Sequence, residues 1–425
     1  MTKLSNIRGF TSAGGGGGGG SSDPTWGAQL DYQVFGGEAG WNSSSTYDFQ
    51  TRCAGGMKSN KFFAHRGESN QSLYYTRSRI CPFQVNTSTG AISLLQPEYN
   101  VWQNTQYPGW STVHYTSPEG TGAFFYGGNI AWPGQSSYYP GYAYGHIDSS
   151  GNLSAAGYNA SNEDHAYNMW TQSPPTGGRN GTTGWIIEGG YSNSDSRARY
   201  RISKWNNGSW SIGGSNNPSS NTSTCYSTGF TASLTASASG NDCVGIFNYQ
   251  DGSGNAKLRA IDTSGNSYEH SAVALDSNAF AFQMDDGSVI QYSYNNGTRK
   301  FSSYSSMSTL SYKWPYPFAI HATPFSLGNN RFVIGMDSSS WVSNNQNMLL
   351  CEINPTTGAV TELEWGPTTT SRGGFYPLSS SYCRGWPVWA SDSDTTPTHI
   401  CFIRCPGNAI TQVATYSWPF TYNLS

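Results

Sequence analysis

Apolar and polar positions along this chain form a recurring plan: a short apolar run, a second aromatic-rich run, and a tight turn carrying Gly or Asn. In the second unit, Phe124–Gly128 is followed by Tyr142–Ile147 and the turn Asp148-Ser-Ser-Gly-Asn152. In the third, Trp185–Gly190 is followed by Arg199–Trp205 and the turn Asn206-Asn-Gly-Ser-Trp210. Runs of four to seven residues bounded by such turns read as strands, and Asn-Gly supplies the positive φ angles of a two-residue hairpin. The plan recurs in Val244–Phe247 with Leu258–Ile261, in Phe332–Ile334 with Met348–Ile353, and in Val388–Ala390 with Ile400–Ile403. The first and fifth units are Phe62–Ala64 with Leu73–Tyr75, and Phe280–Phe282 with Val289–Tyr292.

Seven glycines mark the turns: Gly90, Gly151, Gly208, Gly265, Gly297, Gly358 and Gly407, at spacings of 61, 57, 57, 32, 61 and 49 residues. Periods of this size suit blades of a β-propeller, whereas β-helix rungs, the rival fold for a Gly/Ser/Asn/Thr-rich chain, need far shorter ones. The expectation is an all-β chain forming a single β-propeller of seven blades, with six as the fallback because of the spacing of 32. One hairpin glycine per blade is expected. Either Tyr32–Phe35 or the C-terminal run Tyr416–Leu424 is available to supply a missing strand and close the ring.

Composition narrows this reading. Aromatic residues make up 15% of the chain and charged residues 11%, with 51 glycines, so burial has to rely on Tyr, Trp and Phe packed on pleated faces. A net charge of −3 gives no basic footprint for nucleic acid. No run of 18 apolar residues offers a membrane span. The first residues lack a secretory apolar core, which suggests synthesis in a cytoplasm. Residues 1–25 read as a separate segment: an apolar peptide containing Leu4, Ile7 and Phe10, then seven consecutive glycines, a flexible leash ahead of a propeller domain over 26–425. Its expected role is an anchor on a larger assembly.

Candidate chemistry is sparse. The eight cysteines show no Cys-x-x-Cys and no His pair at zinc spacing, so no metal or cofactor is expected and buried free thiols are the reading, with a Cys225–Cys243 disulfide left open. Asp285-Asp286 and Asp392-x-Asp394 are the best acidic pairs. They offer hard oxygens for calcium, though turn capping is the plainer role for Asp in hairpins. No catalytic motif is found, neither Gly-x-Ser-x-Gly nor a sialidase-type Asp box, and the catalytic residue set is empty. The longest insertions instead mix rings with amides and hydroxyls: one holds Trp132, Tyr138 and Tyr139, another Trp341. Such loops suit sugars, whose apolar faces stack on rings while hydroxyls take hydrogen bonds, and they suit protein partners equally.

The second and third units, with Gly127-Gly128 or Gly189-Gly190 followed by a Tyr-bearing strand, resemble kelch-type repeats, which implies propeller topology. The ensemble of short N-terminal peptide, polyglycine and low-charge Tyr/Trp/Asn/Ser/Gly-rich body resembles structural proteins of tailed-phage virions. That resemblance implies a non-enzymatic virion protein, displayed on the tail or particle, partnered by other virion proteins through its N-terminus and touching host surface glycans. A carbohydrate-active propeller enzyme and a kelch-like interaction scaffold are the alternatives.

Overall fold

A computed structural model describes residues 28–40, 53–58, 60–70, 75–104, 123–130, 139–159, 166–167, 183–192, 197–206, 209–212, 225–231, 239–276, 279–315, 325–335, 348–366, 384–391, 393–394, 397–407 and 410–418. Among these, all regular structure is β. After β1 (Gln29–Gly36), the first sheet is β2 (Cys53–Lys58), β3 (Lys61–Asn70), β4 (Tyr75–Val85) and β5 (Ile92–Leu94), with β6 (Tyr99–Asn104) also on β4. The second is β7 (Ala123–Ile130), β8 (Tyr139–Ile147) and β9 (Leu153–Asn159). The third is β10 (Ala166–Tyr167), β11 (Thr183–Ser192), β12 (Arg197–Asn206) and β13 (Ser209–Ile212).

Next come β14 (Cys225–Ser227) and β15 (Gly229–Thr231), separated by Thr228 alone. The fourth sheet joins β14 to β16 (Gly245–Gln250), β17 (Ala256–Ile261) and β18 (Ser267–Ser271). The fifth joins β15 to β19 (Ala279–Gln283), β20 (Val289–Ser293), β21 (Gly297–Ser303) and β22 (Ser306–Leu310). The sixth is β23 (Phe325–Gly328), β24 (Arg331–Gly335), β25 (Met348–Ile353) and β26 (Val360–Gly366). The seventh is β27 (Arg384–Val388), β28 (His399–Gly407) and β29 (Ile410–Ser417), with β1 as its outer strand. Of the two segments proposed for closure, Tyr32–Phe35 is used, pairing in β1 with Thr411–Ala414 of β29; of the C-terminal run only Tyr416 and Ser417 lie in β29, Tyr416 facing Gln29, and residues 419–424 lie outside the described residues.

Successive sheets pack through alternate side chains, as period-two strands with two covered faces must. Tyr200 of the third sheet joins Val244, Phe247 and Tyr249 of the fourth. Ile246 and Leu258 of the fourth meet Val289 and Phe301 of the fifth. Phe280, Phe282 and Tyr292 of the fifth meet Phe332, Leu349 and Cys351 of the sixth. Leu327, Val333 and Leu350 of the sixth meet Ile400 and Phe402 of the seventh, whose other face, through Cys401 and Ile403, covers Phe62 and Phe83 of the first. The Lys61 ammonium donates to the Ser149 carbonyl at 2.6 Å, tying the first sheet to the second. β10 of the third sheet runs beside β7 of the second.

The hairpin glycines explain the irregular spacing. Gly90, Gly151, Gly265, Gly297 and Gly358 all have positive φ, from 68° to 88°. The expectation of one equivalent hairpin per unit is corrected, however. Gly90, Gly265 and Gly358 turn the third strand of a meander into the fourth, and Gly151 holds the same place before β9, whereas Gly297 and Gly407 lie between the second and third strands of theirs. The equivalent turn of the fifth sheet is Tyr304-Ser305, which has no glycine. A positive-φ residue serves any short hairpin, so local sequence does not say which hairpin of a meander it closes. The spacing of 32 compares unlike turns, and the fifth sheet has its full set of strands.

That sheet also carries an addition. Antiparallel β14 ends on β16 of the fourth sheet, and one residue later β15 runs parallel to β19 of the fifth. Thr228 at the crossing is buried, and its hydroxyl accepts from Gln291 Nε2 at 2.8 Å.

Three turns share one bracing plan. In Asp148–Asn152, Asp251–Asn255 and Asp262–Asn266 the aspartate Oδ1 accepts the backbone N–H groups two and four residues on, and the closing Asn amide donates to Oδ2. This is the local hydrogen bonding that favours Asp in turns.

Candidate binding face

The described residues that stand furthest into solvent as apolar groups are Val273, 81% exposed, and Tyr294, 70% exposed. Tyr294 opens the β20–β21 turn, and Val273 lies just past β18 on the connection to β19. The two segments are clamped to each other. Asn296 Oδ1 accepts the backbone N–H groups of Val273 and Ala274 at 2.8 and 3.1 Å, and its amide donates to the Ala274 carbonyl at 2.9 Å. Asn295 donates its amide to the Leu275 carbonyl at 3.0 Å and its backbone N–H to Asp276 Oδ2 at 2.9 Å. Ser293 donates its hydroxyl to the same oxygen. Asn248 of the fourth sheet completes the clamp by accepting the Asp276 N–H and donating to the Lys257 carbonyl at 3.1 Å.

Polar side chains carry this arrangement because the connection has no ladder partner, and its backbone groups must find partners elsewhere. Beneath it, Arg299 is buried and donates Nη2 to Asn296 Oδ1 at 3.3 Å, while its Nε and Nη1 have no hydrogen-bond partner. Burial pulls its guanidinium down to about 10, against the Asp276 carboxylate, which favours the charge. Charge is thus kept below the surface, and what the face presents is a phenol, an isopropyl group and the exposed amide residue Asn295.

A second polar cluster lies on the fourth sheet, across β16, β17 and β18. Tyr249 donates its hydroxyl to Glu269, which pairs with Lys257 at 3.2 Å and Arg259 at 3.5 Å. Burial first, and then the bond to Glu269, pushes the Tyr249 phenol up to about 12. Fully buried and protonated at neutral pH, Tyr249 offers no nucleophile, and the cluster braces the strands of the fourth sheet against one another.

The residues singled out by sequence fall largely elsewhere. Leu4, Ile7, Phe10, Trp132, Tyr138 and Trp341 lie outside the described residues, and of Tyr139 only the backbone is described, opening β8 opposite Ile130. The acidic pairs act as turn residues. Asp286 accepts from the Ser288 N–H and hydroxyl and lies 3.7 Å from Lys300, while Asp285 and Asn330 exchange bonds between the fifth and sixth sheets. Asp394 caps Ser391, and Asp392 lies outside the described residues. Cys225 and Cys243 are free and buried, so no disulfide joins them. No group of His, Cys, Asp and Glu able to hold a metal occurs among the described residues. Tyr294 and Val273 escaped the sequence reading, although Ser-Tyr-Asn-Asn-Gly, a ring at the head of an Asn-Gly turn, was a visible signal.

No protein-family model matches the sequence, and no curated protein matches it. Among solved structures, an uncharacterized protein of Listeria monocytogenes overlaps at 10% identity over 84% of this chain and 91% of its own, with a TM-score of 0.31. The α-L-arabinofuranosidase of Fusarium graminearum does so at 7% identity over 93% and 97%, TM-score 0.33. The β-propeller domain of the Trilobed protease of Pyrococcus furiosus does so at 8% identity over 77% and 99%, TM-score 0.31. At such TM-scores these overlaps assign no activity to this chain.

Proposed function

We propose that the chain is a seven-bladed propeller serving as a binding platform on a phage particle, touching host surface glycans through the face that carries the second-to-third-strand loops. The supporting observation is the order of the sheets. Seven meanders follow one another, each packs on the next, and the strand pair β1–β29 joins the two ends of the chain in the last one. In such a ring the β20–β21 turn with Tyr294, the β7–β8 loop with Trp132 and the β24–β25 loop with Trp341 leave from the same face. Rings set among amides suit sugars, whose apolar ring faces stack on aromatic side chains.

Two experiments test the two parts of this reading. On a glycan array, the intact protein is expected to capture a restricted set of glycans, and Trp132→Ala with Trp341→Ala to abolish capture; no capture, or capture indifferent to both changes, removes the glycan reading. Mass spectrometry of purified particles from an infected host is expected to find the chain at fixed stoichiometry. Its absence from particles removes the virion role.

A further inference from the structure

β1 is an edge strand, yet its side chains are individually seated. Seven residue pairs hold it on β29, from Gln29–Tyr416 to Gly36–Ile410. Leu30 fills a notch that exists because residue 90 has no side chain: a Cβ there would approach Leu30 to 2.7 Å, and φ is +77°. Asp31 Oδ2 accepts the Ile92 N–H at 2.7 Å. Tyr416 donates its hydroxyl to Gln29 Oε1 at 2.9 Å, and Ala28 donates its N–H to Ser417 Oγ at 2.9 Å. Phe35 stacks on Phe83 with centroids 6.3 Å apart, and Tyr32 packs against the cluster of Phe402 and Leu350. All of these contacts lie within residues 28–36 on the strand's side. No residue of β1 is fully buried.

We propose that β29 and the β4–β5 hairpin form a strand-acceptor site, specific for residues 28–36, that the β1 strand of a second copy of this chain can fill. The contacts in such an exchange are the same as those made within one molecule, so the free-energy difference between the two is set by effective concentration alone. Residues 37–52 join β1 to β2, and a covalent link of that length confines the strand to an effective concentration on the order of millimolar. The closed monomer dominates at micromolar protein. Exchange between copies grows toward millimolar density, the condition of neighbours crowded on one surface.

The test uses the full chain with a protease site inserted after Ser44, and a fluorescent peptide of residues 26–38 as probe. After cleavage the site is expected to take up the peptide, read by anisotropy, at roughly 10²- to 10³-fold lower concentration than in the uncut chain, since cutting removes the tether. A Leu30→Arg peptide is expected not to bind. Should cleavage unfold the protein, a second measurement stands in: differently tagged intact chains, mixed near millimolar concentration and cross-linked before dilution, are expected to yield mixed dimers on size-exclusion chromatography. A disulfide between Gln33→Cys and Val413→Cys, placed on a paired position of the ladder, abolishes them. Peptide uptake unchanged by cleavage or by Leu30→Arg, or mixed dimers that are absent or persist with the disulfide, overturns the proposal.

Discussion

Replacing Asp276 by Ala tests the clamp beneath the exposed Tyr294 and Val273. Its buried carboxylate, 4% exposed, accepts from the Ser293 hydroxyl and the Asn295 N–H and is the nearby anion that favours charged Arg299. Hydrogen bonds to charged groups contribute about 1.5–3 kcal/mol each, and a buried charge stripped of its partner costs about 3–5 kcal/mol. Because these overlap, the expected loss is about 3–5 kcal/mol rather than their sum. The assay is local: hydrogen exchange at the amides of Val273, Ala274, Asp276 and Asn295, all bonded within the clamp. At about 1.4 kcal/mol per tenfold, exchange there accelerates on the order of 10²- to 10³-fold, while β24 and β25 of the sixth sheet stay protected. Arg299→Met alone leaves the buried Asp276 carboxylate without its countercharge and is expected to cost a similar amount. Adding it to Asp276→Ala should restore much of the protection. Strictly additive effects, or less than tenfold acceleration in Asp276→Ala, would refute the charge-coupled clamp.

Three further outcomes follow from the packing. Tyr292→Phe removes a buried donor to the Gly358 carbonyl at 2.8 Å and should cost about 1–3 kcal/mol, read as a lower urea midpoint by tryptophan fluorescence. Gly90→Val forces a β-branched residue into positive φ against Leu30 and should free β1, making residues 28–36 the first site cut in limited proteolysis. His270 and His399 are held neutral below their ordinary pKa, by burial in both and, in His270, by Arg299 as well. The unfolded chain takes up these protons first, so stability falls as pH drops below about 6.5 and levels off below the folded values. Thermal melts from pH 7.5 to 5 should show this decline, diminished in His270→Gln.

Strand existence was legible because period-two apolar runs and Asn/Asp-Gly turns are local signals, and Phe62, Phe282, Phe332 and Ile400 all fall where the runs placed them, in buried strands. Strand number within a sheet was not. Gly297 and Gly265 look alike in sequence, yet one closes the second strand and the other the third, a difference set by pairing with residues far along the chain. The same limit hid β15, three residues whose parallel partner Phe280–Phe282 lies about fifty positions on. The clamp was missed for another reason. Asn295, Asn296 and Asp276 read as ordinary turn residues until Asn248, from another sheet, is brought against them.

The pairing of β1 with β29 also carries a kinetic cost. Ala28 and Ser417, bonded to each other, are 389 positions apart, so this contact lies near the upper limit of sequence separation for the chain. Loop closure over that distance is slow, and folding rates fall as contacts become less local. On a ribosome, sheets one to six can assemble as they emerge, while β1, made first, waits with an open edge until the last hairpin is released. The strand bearing Leu30 and Val34, 41% and 46% exposed even when paired, is then the segment most open to mispairing during synthesis.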